Sequence, residues 1–132
     1  MANCFEDELT DIQSEYISLC LEYSGEGVDK VYAYIYQTPN ARMFNAFYLI
    51  NGQIKAAGQL ETDVDCDEFL AVGRDDISKI IDVCKKFDRE IPNEMKLVYD
   101  VNTHGFDAKM SYEAYEDKTP FEVFLAWLRS ER

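Results

Sequence analysis

The residues best placed to do chemistry in this chain are carboxylates. Between Glu61 and Asp76 stand Glu61, Asp63, Asp65, Asp67, Glu68, Asp75 and Asp76, answered only by Arg74. Asp63, Asp65 and Asp67 follow the alternate spacing of a calcium loop. An EF-hand loop begun at Asp63 would need glycine where Glu68 stands and a bidentate acid where Arg74 stands, so that motif fails. Acids crowded in one loop repel one another. They read either as a solvated loop or as a docking surface for a basic partner. Catalytic signals are sparse. His104 is the only histidine, it sits beside Gly105 in a turn, and no nucleophile elbow accompanies it. Gly25-Glu26-Gly27 lacks the third glycine of a dinucleotide loop, and no phosphate-binding loop is present. With 26 acids, a carboxylate pair is expected by chance. The expectation is a protein that is not an enzyme and carries no cofactor or metal.

Cysteine usage agrees with that reading. Cys4, Cys20, Cys66 and Cys84 form no CxxC pair and no zinc spacing. Cys20 and Cys84 fall on helical apolar patterns, where a free thiol behaves as a small hydrophobe. The net charge of −13 would repel phosphates, which argues against direct nucleic-acid or anionic-membrane binding and makes a basic protein surface the natural complement. The acidic run Glu6-Asp7-Glu8 and Asp11 is the reverse of a secretory leader. No apolar run reaches the length of a membrane span. A cytoplasmic protein is expected.

The elements that must position these residues follow from periodicity. Phe5, Leu9, Ile12, Tyr16, Leu19 and Tyr23 recur at helical spacing, predicting a helix from about Cys4 to Tyr23, capped by Asn3 with Glu6 and ended by Gly25 and Gly27. Val31 to Gln37 and Met43 to Ile50 are apolar on both faces and read as central strands. Asn51-Gly52 signals a hairpin returning through Gln53 to Leu60, with Gly58 marking a bulge or close approach. Asp65 with Glu68 opens a short helical turn through Phe69 and Val72, closed by Gly73. A second helix runs from about Asp76 to Arg89, burying Ile77, Ile80, Ile81, Cys84 and Phe87, and Ile91-Pro92-Asn93 stops it.

Alternation then predicts a half-buried hairpin. Met95, Leu97, Tyr99 and Val101 form the apolar side of one arm, and Phe106, Ala108, Met110 and Tyr112 that of the other, across Asn102-Thr103-His104-Gly105. Thr119-Pro120-Phe121-Glu122 is a capping box with proline at the first helical position, opening a last helix with Phe124 and Trp127 at core spacing. The order is α-β-β-β-α-β-β-α over a single domain, residues 1–132. Strands grouped between helices imply an antiparallel α+β fold rather than βαβ units. Tyr32, Tyr34 and Tyr36 share one strand face. They read either as rings packed under a helix with hydroxyls at the rim, or, like Tyr112 and Tyr115, as part of an aromatic interaction patch.

The ending from Lys96 to Arg132 resembles the YezG-like antitoxin family, small immunity proteins of bacterial toxin–immunity pairs. The matching residues are Tyr99, Gly105, Phe106, Tyr112, Tyr115, Pro120, Phe124 and Trp127, with Val31 to Tyr36 similar to the family's first strand and Tyr48 to Ile54 to its next hairpin. The resemblance implies an immunity protein that binds and neutralises the C-terminal domain of a cognate toxin, often a nuclease, by stoichiometric occlusion. Glu61, Asp63, Asp65, Asp67, Glu68, Asp75, Asp76, Tyr112 and Tyr115 are the candidate docking residues. A regulatory or adaptor domain binding another protein is the alternative. A small-molecule or metal-binding domain, with a pocket between sheet and helix, is the third reading. Both monomer and homodimer are compatible with the sequence.

Overall fold

The strand without a polar face, β1 (Lys30–Thr38), lies at the centre of the sheet. It is flanked by β2 (Ala41–Ile50) and β4 (Glu94–Asp100), and the edges are β3 (Gln53–Ala56) and β5 (Phe106–Ser111), in the order β3-β2-β1-β4-β5. The structure, a computed structural model, describes residues 4–132, and every strand pair in it is antiparallel. Four helices complete the single α+β domain: α1 (Phe5–Ser24), α2 (Cys66–Asp75), α3 (Ile77–Lys86) and α4 (Pro120–Ser130). The expected element order holds, with two abutting helices, α2 and α3, filling the middle helical position.

Burial explains the double-sided pattern of β1. Val31, Ala33 and Ile35 join Phe44, Ala46, Tyr48, Met95 and Leu97 beneath α1, α2 and α3. Tyr32, Tyr34 and Tyr36 join Phe47 on the opposite face, beneath Val123, Phe124 and Leu128 of α4. Burying each large side chain contributes roughly 1.5–3 kcal/mol. Lys86–Glu8 at 2.9 Å, Lys79–Glu15 at 3.1 Å and Arg89–Glu6 at 3.6 Å align α3 antiparallel to α1. As exposed pairs they contribute about 0–1 kcal/mol each, so they orient the helices more than they stabilise them.

Local signals account for most boundaries. Asn51 and Gly52 take φ of 50° and 78°, the left-handed pair that a two-residue hairpin turn requires. In the capping box of α4, Glu122 N–H donates to Thr119 Oγ1 at 3.2 Å and Thr119 N–H to Glu122 Oε2 at 3.0 Å. Asn3, the expected cap of α1, lies outside the described residues. The helix predicted from Asp76 to Arg89 is shorter, because Asp88 turns left-handed at φ 53° and Arg89 N–H closes back on the Cys84 carbonyl at 2.8 Å.

Three expectations are corrected. Gly73 does not end a helical turn; it lies buried inside the ten-residue α2, where a Cβ would collide with the Phe44 ring. It is a close-approach glycine. The strand expected to reach Leu60 stops at Ala56 and continues as the 3-10 turn Ala57–Gln59, with open space around Gly58 rather than a close contact. In the last hairpin, as its place in the turn allows, His104 takes the left-handed conformation at φ 62°. The apolar side of this hairpin is covered on β4 but open on β5, where Phe106 and Met110 are 42% and 41% exposed. The physical reason is width: α1 reaches the sheet as far as the Tyr99–Phe106 pair, and no helix among the described residues lies beyond it.

Candidate docking surface

The carboxylates of the Glu61–Asp76 stretch occupy a loop and one side of α2. Asp65 caps α2, its Oδ1 accepting from Asp67 N–H at 3.0 Å, and Asp76 pairs with Lys79 at 3.6 Å. Glu61, Asp63, Asp65, Asp67, Glu68 and Asp75 are exposed and form no ion pair among the described residues. Glu68, Val72 and Asp75 recur at helical spacing on the solvent side of α2, while Phe69 and Gly73 face inward. Val72 is 46% exposed, and Val64, in the preceding loop, 44%. Val72 thus stands between Glu68 and Asp75 along the helix, and Val64 between Asp63 and Asp65 in the loop. Beside Val64 a shallow cleft of about 270 Å³, lined in part by Glu22, Glu61 and Asp63, separates this loop from the end of α1.

Gly73 sets the height of this surface above the sheet. Without a side chain there, α2 settles onto the Phe44 ring, and the Tyr16 hydroxyl donates to the Gly73 carbonyl at 2.7 Å. Phe69 stacks on Tyr23 with ring centroids 4.2 Å apart. Asp67, Glu68 and Asp75 thus ride on a firmly held helix. Among the described residues, no three His, Cys, Asp or Glu side chains converge in a way that could hold a metal ion.

The tyrosine candidates lie elsewhere. α2 rests on β2, whereas Tyr112 follows β5 at the far edge of the sheet, so the fold does not bring the acids and Tyr112 together. Tyr112 is 44% exposed. Tyr115 is half-buried: its ring stacks on Tyr36 at 6.1 Å, and its hydroxyl donates to Glu94 Oε1 at 3.2 Å.

Glu94 is the polar residue that the sequence reading missed. Its side chain is buried, its Oε2 accepts from the Tyr34 hydroxyl at 2.6 Å, and Lys96 Nζ stands 4.0 Å from Oε1. It lies in register with Tyr36, on the Lys96 side of β4 that alternation assigns to solvent. α4 covers that side instead. The β1 tyrosines do pack under a helix, but the Tyr34 hydroxyl reaches this buried carboxylate rather than the rim. Burial pushes the Tyr34 hydroxyl far above the ordinary tyrosine range, and the Glu94 carboxylate adds to the shift. Burial likewise raises Tyr115, to about 12.

The remaining chemical candidates have local partners. The Tyr99 hydroxyl is 2.8 Å from His104 Nδ1 at the exposed hairpin end. All four cysteines are free thiols; Cys20 and Cys84 are buried, and burial pushes the Cys20 thiol up to about 12. No helix among the described residues is long and apolar enough to cross a membrane. Comparison with known proteins returns no match for this chain, neither among family models nor among the curated proteins.

Proposed function

We propose that this chain is an immunity protein that binds a cognate bacterial toxin domain in the cytoplasm and neutralises it by stoichiometric occlusion, without catalysis or cofactor. The observation that carries the reading is the acidic stretch of loop and α2, where exposed Val64 and Val72 are each flanked by unpaired carboxylates. A basic toxin face, such as that of a nuclease, is its electrostatic complement. Long-range attraction would raise the association rate, and the desolvated valines would contribute to holding the complex. The resemblance of the sequence to YezG-like antitoxins supports the toxin as the partner class.

The test is to co-express the chain with the toxin domain encoded in its gene neighbourhood and to measure binding. The expected outcome is a one-to-one complex that protects the cells and forms more slowly as ionic strength rises. Replacing Asp63, Asp65, Asp67 and Glu68 with Asn or Gln should slow association while leaving the fold intact. Normal association by that variant would move the docking surface away from α2. Absence of any complex would favour an adaptor role.

A further inference from the structure

The two edges of the sheet are finished differently. β3 has four residues and runs directly into a 3-10 turn, so it offers little backbone for pairing. β5 has six residues, Phe-Asp-Ala-Lys-Met-Ser, without proline, and forms the open edge next to β4. At the hairpin end, Asp100 N–H donates to the Gly105 carbonyl and His104 N–H to the Asp100 carbonyl, both at 2.8 Å. With Tyr99 opposite Phe106, these bonds fix the parity of the ladder. Gly105, Asp107 and Lys109 turn their backbone groups toward β4, and Phe106, Ala108 and Met110 turn theirs outward.

The side chains of this edge protect it on one side only. Phe106 and Met110 are exposed on the α1 side, beside a groove of about 420 Å³ lined in part by Ser14, Ile17, Leu21, Tyr99 and Phe106. Edge strands are ordinarily blunted by proline, bulges, inward-pointing charge or charged side chains along the edge, lysine above all. Here the charges lie on the other side, as Asp107 and Lys109, two residues apart and of opposite sign.

We propose that β5 pairs with β5 of a second copy of this chain, antiparallel, about a twofold axis through Ala108. A register centred on Asp107 or on Lys109 would set a charge against its own copy, which is unfavourable directly across strands. Centring on Phe106 or Met110 would leave half of the strand unpaired. Centring on Ala108 pairs all the outward backbone groups. It sets Asp107 opposite Lys109 of the second copy, twice, and Phe106 opposite Met110, twice. Met110 of the second copy then lands at the mouth of the groove beside Phe106. The net charge of −13 on each copy opposes association. However, β5 itself is neutral, with Glu113, Glu116 and Asp117 beyond its end, and the acidic surface of α2 lies over β2, three strands away. That separation exceeds the screening length of about 10 Å at 0.1 M salt.

Sedimentation velocity over a concentration series tests the pairing without any toxin, so its outcome is independent of the proposed function. A reversible monomer–dimer equilibrium is expected. Ala108→Pro removes an outward N–H and no bond to β4, and should give a monomer with unchanged circular dichroism. Asp107→Lys and Lys109→Asp, each on the surface and expected to fold, should each weaken self-association about tenfold by turning both cross-strand charge pairs repulsive. Mixing these two variants should restore dimers, because every pair in the mixed species then joins Lys to Asp. A chain that stays monomeric up to millimolar concentration would overturn the proposal. So would a dimer that survives Ala108→Pro as well as both charge variants, or a mixture that recovers nothing.

Discussion

Three helices lie over one face of the sheet and one eleven-residue helix over the other, yet β1 is buried on both. The difference is met by side-chain size. Toward the three helices β1 presents Val31, Ala33 and Ile35; toward α4 it presents Tyr32, Tyr34 and Tyr36. Aromatic rings bury about 150–250 Å² each, so a single helix suffices where the strand supplies the breadth. Trp127 completes that layer, edge-on to Phe47 at 4.9 Å and to Tyr32 at 5.8 Å. A face closed by one helix has no neighbouring helix to adjust when a ring is lost, and it should fail more abruptly than the face closed by three.

The largest expected effect strikes both faces together. Burial holds the hydroxyls of Tyr16, Tyr34 and Tyr48 far above the ordinary value near 10, and those of Tyr23 and Tyr115 at about 12. Below pH 10 these groups are neutral in both folded and unfolded chains, so their contribution is fully present. Above it the unfolded chain ionises first, and stability falls as pH rises toward the folded values. Cys20, raised from 9.0 to about 12, begins the same loss near pH 9. Thermal melts should hold steady up to that point and collapse beyond pH 10. A melting temperature that holds steady well above pH 10 would show these rings to be less enclosed.

Next in size, Phe124→Ala should cost about 3–5 kcal/mol in urea unfolding. Trp127→Ala should fall at the lower end of that range, its indole being only half-buried. On the opposite face Gly73→Ala should cost about 1–3 kcal/mol through overpacking against Phe44, although glycine-to-alanine inside a helix ordinarily stabilises by up to about 1 kcal/mol. A gain in stability would mean that α2 can lift from β2. Tyr34→Phe strips a buried carboxylate of its 2.6 Å partner and should cost about 1–3 kcal/mol, with Tyr115→Phe milder because its hydrogen bond is longer and less buried. The smallest change is expected from neutralising Asp63, Asp65, Asp67 and Glu68 together. Apart from the cap lost at Asp65, these exposed substitutions should each stay within about ±0.5 kcal/mol by the same unfolding measurement.

Where a residue's role depends on its own neighbours in sequence, it was legible. The capping box of α4 and the Asn51-Gly52 turn are such cases, and so is the central place of β1, whose two apolar faces require cover on both sides. Roles set by distant packing were not. Gly73 carries the same local signal whether it ends a helix or admits the Phe44 ring. Alternation in β5 identifies the apolar side but not whether a helix extends far enough to cover it. Glu94 reads as a solvent-side acid because nothing near it in sequence announces that α4 returns over β4. The acidity of the α2 stretch was plain from composition. Its exposed valines were not, since Val72 in an amphipathic run is equally well read as core.

The placement of Trp127 makes α4 self-reporting. It is the only indole in a chain with nine tyrosines, and two of those, Tyr32 and Tyr34, lie 5.8 and 6.3 Å from it. Light absorbed by these phenols passes to the indole while the helix stays docked. Release of α4 would shift the emission to the red and uncouple the phenols in the same instant. Events at α2, on the other side of the sheet, would leave that spectrum almost untouched, so one fluorophore separates the loosening of one face from changes at the other.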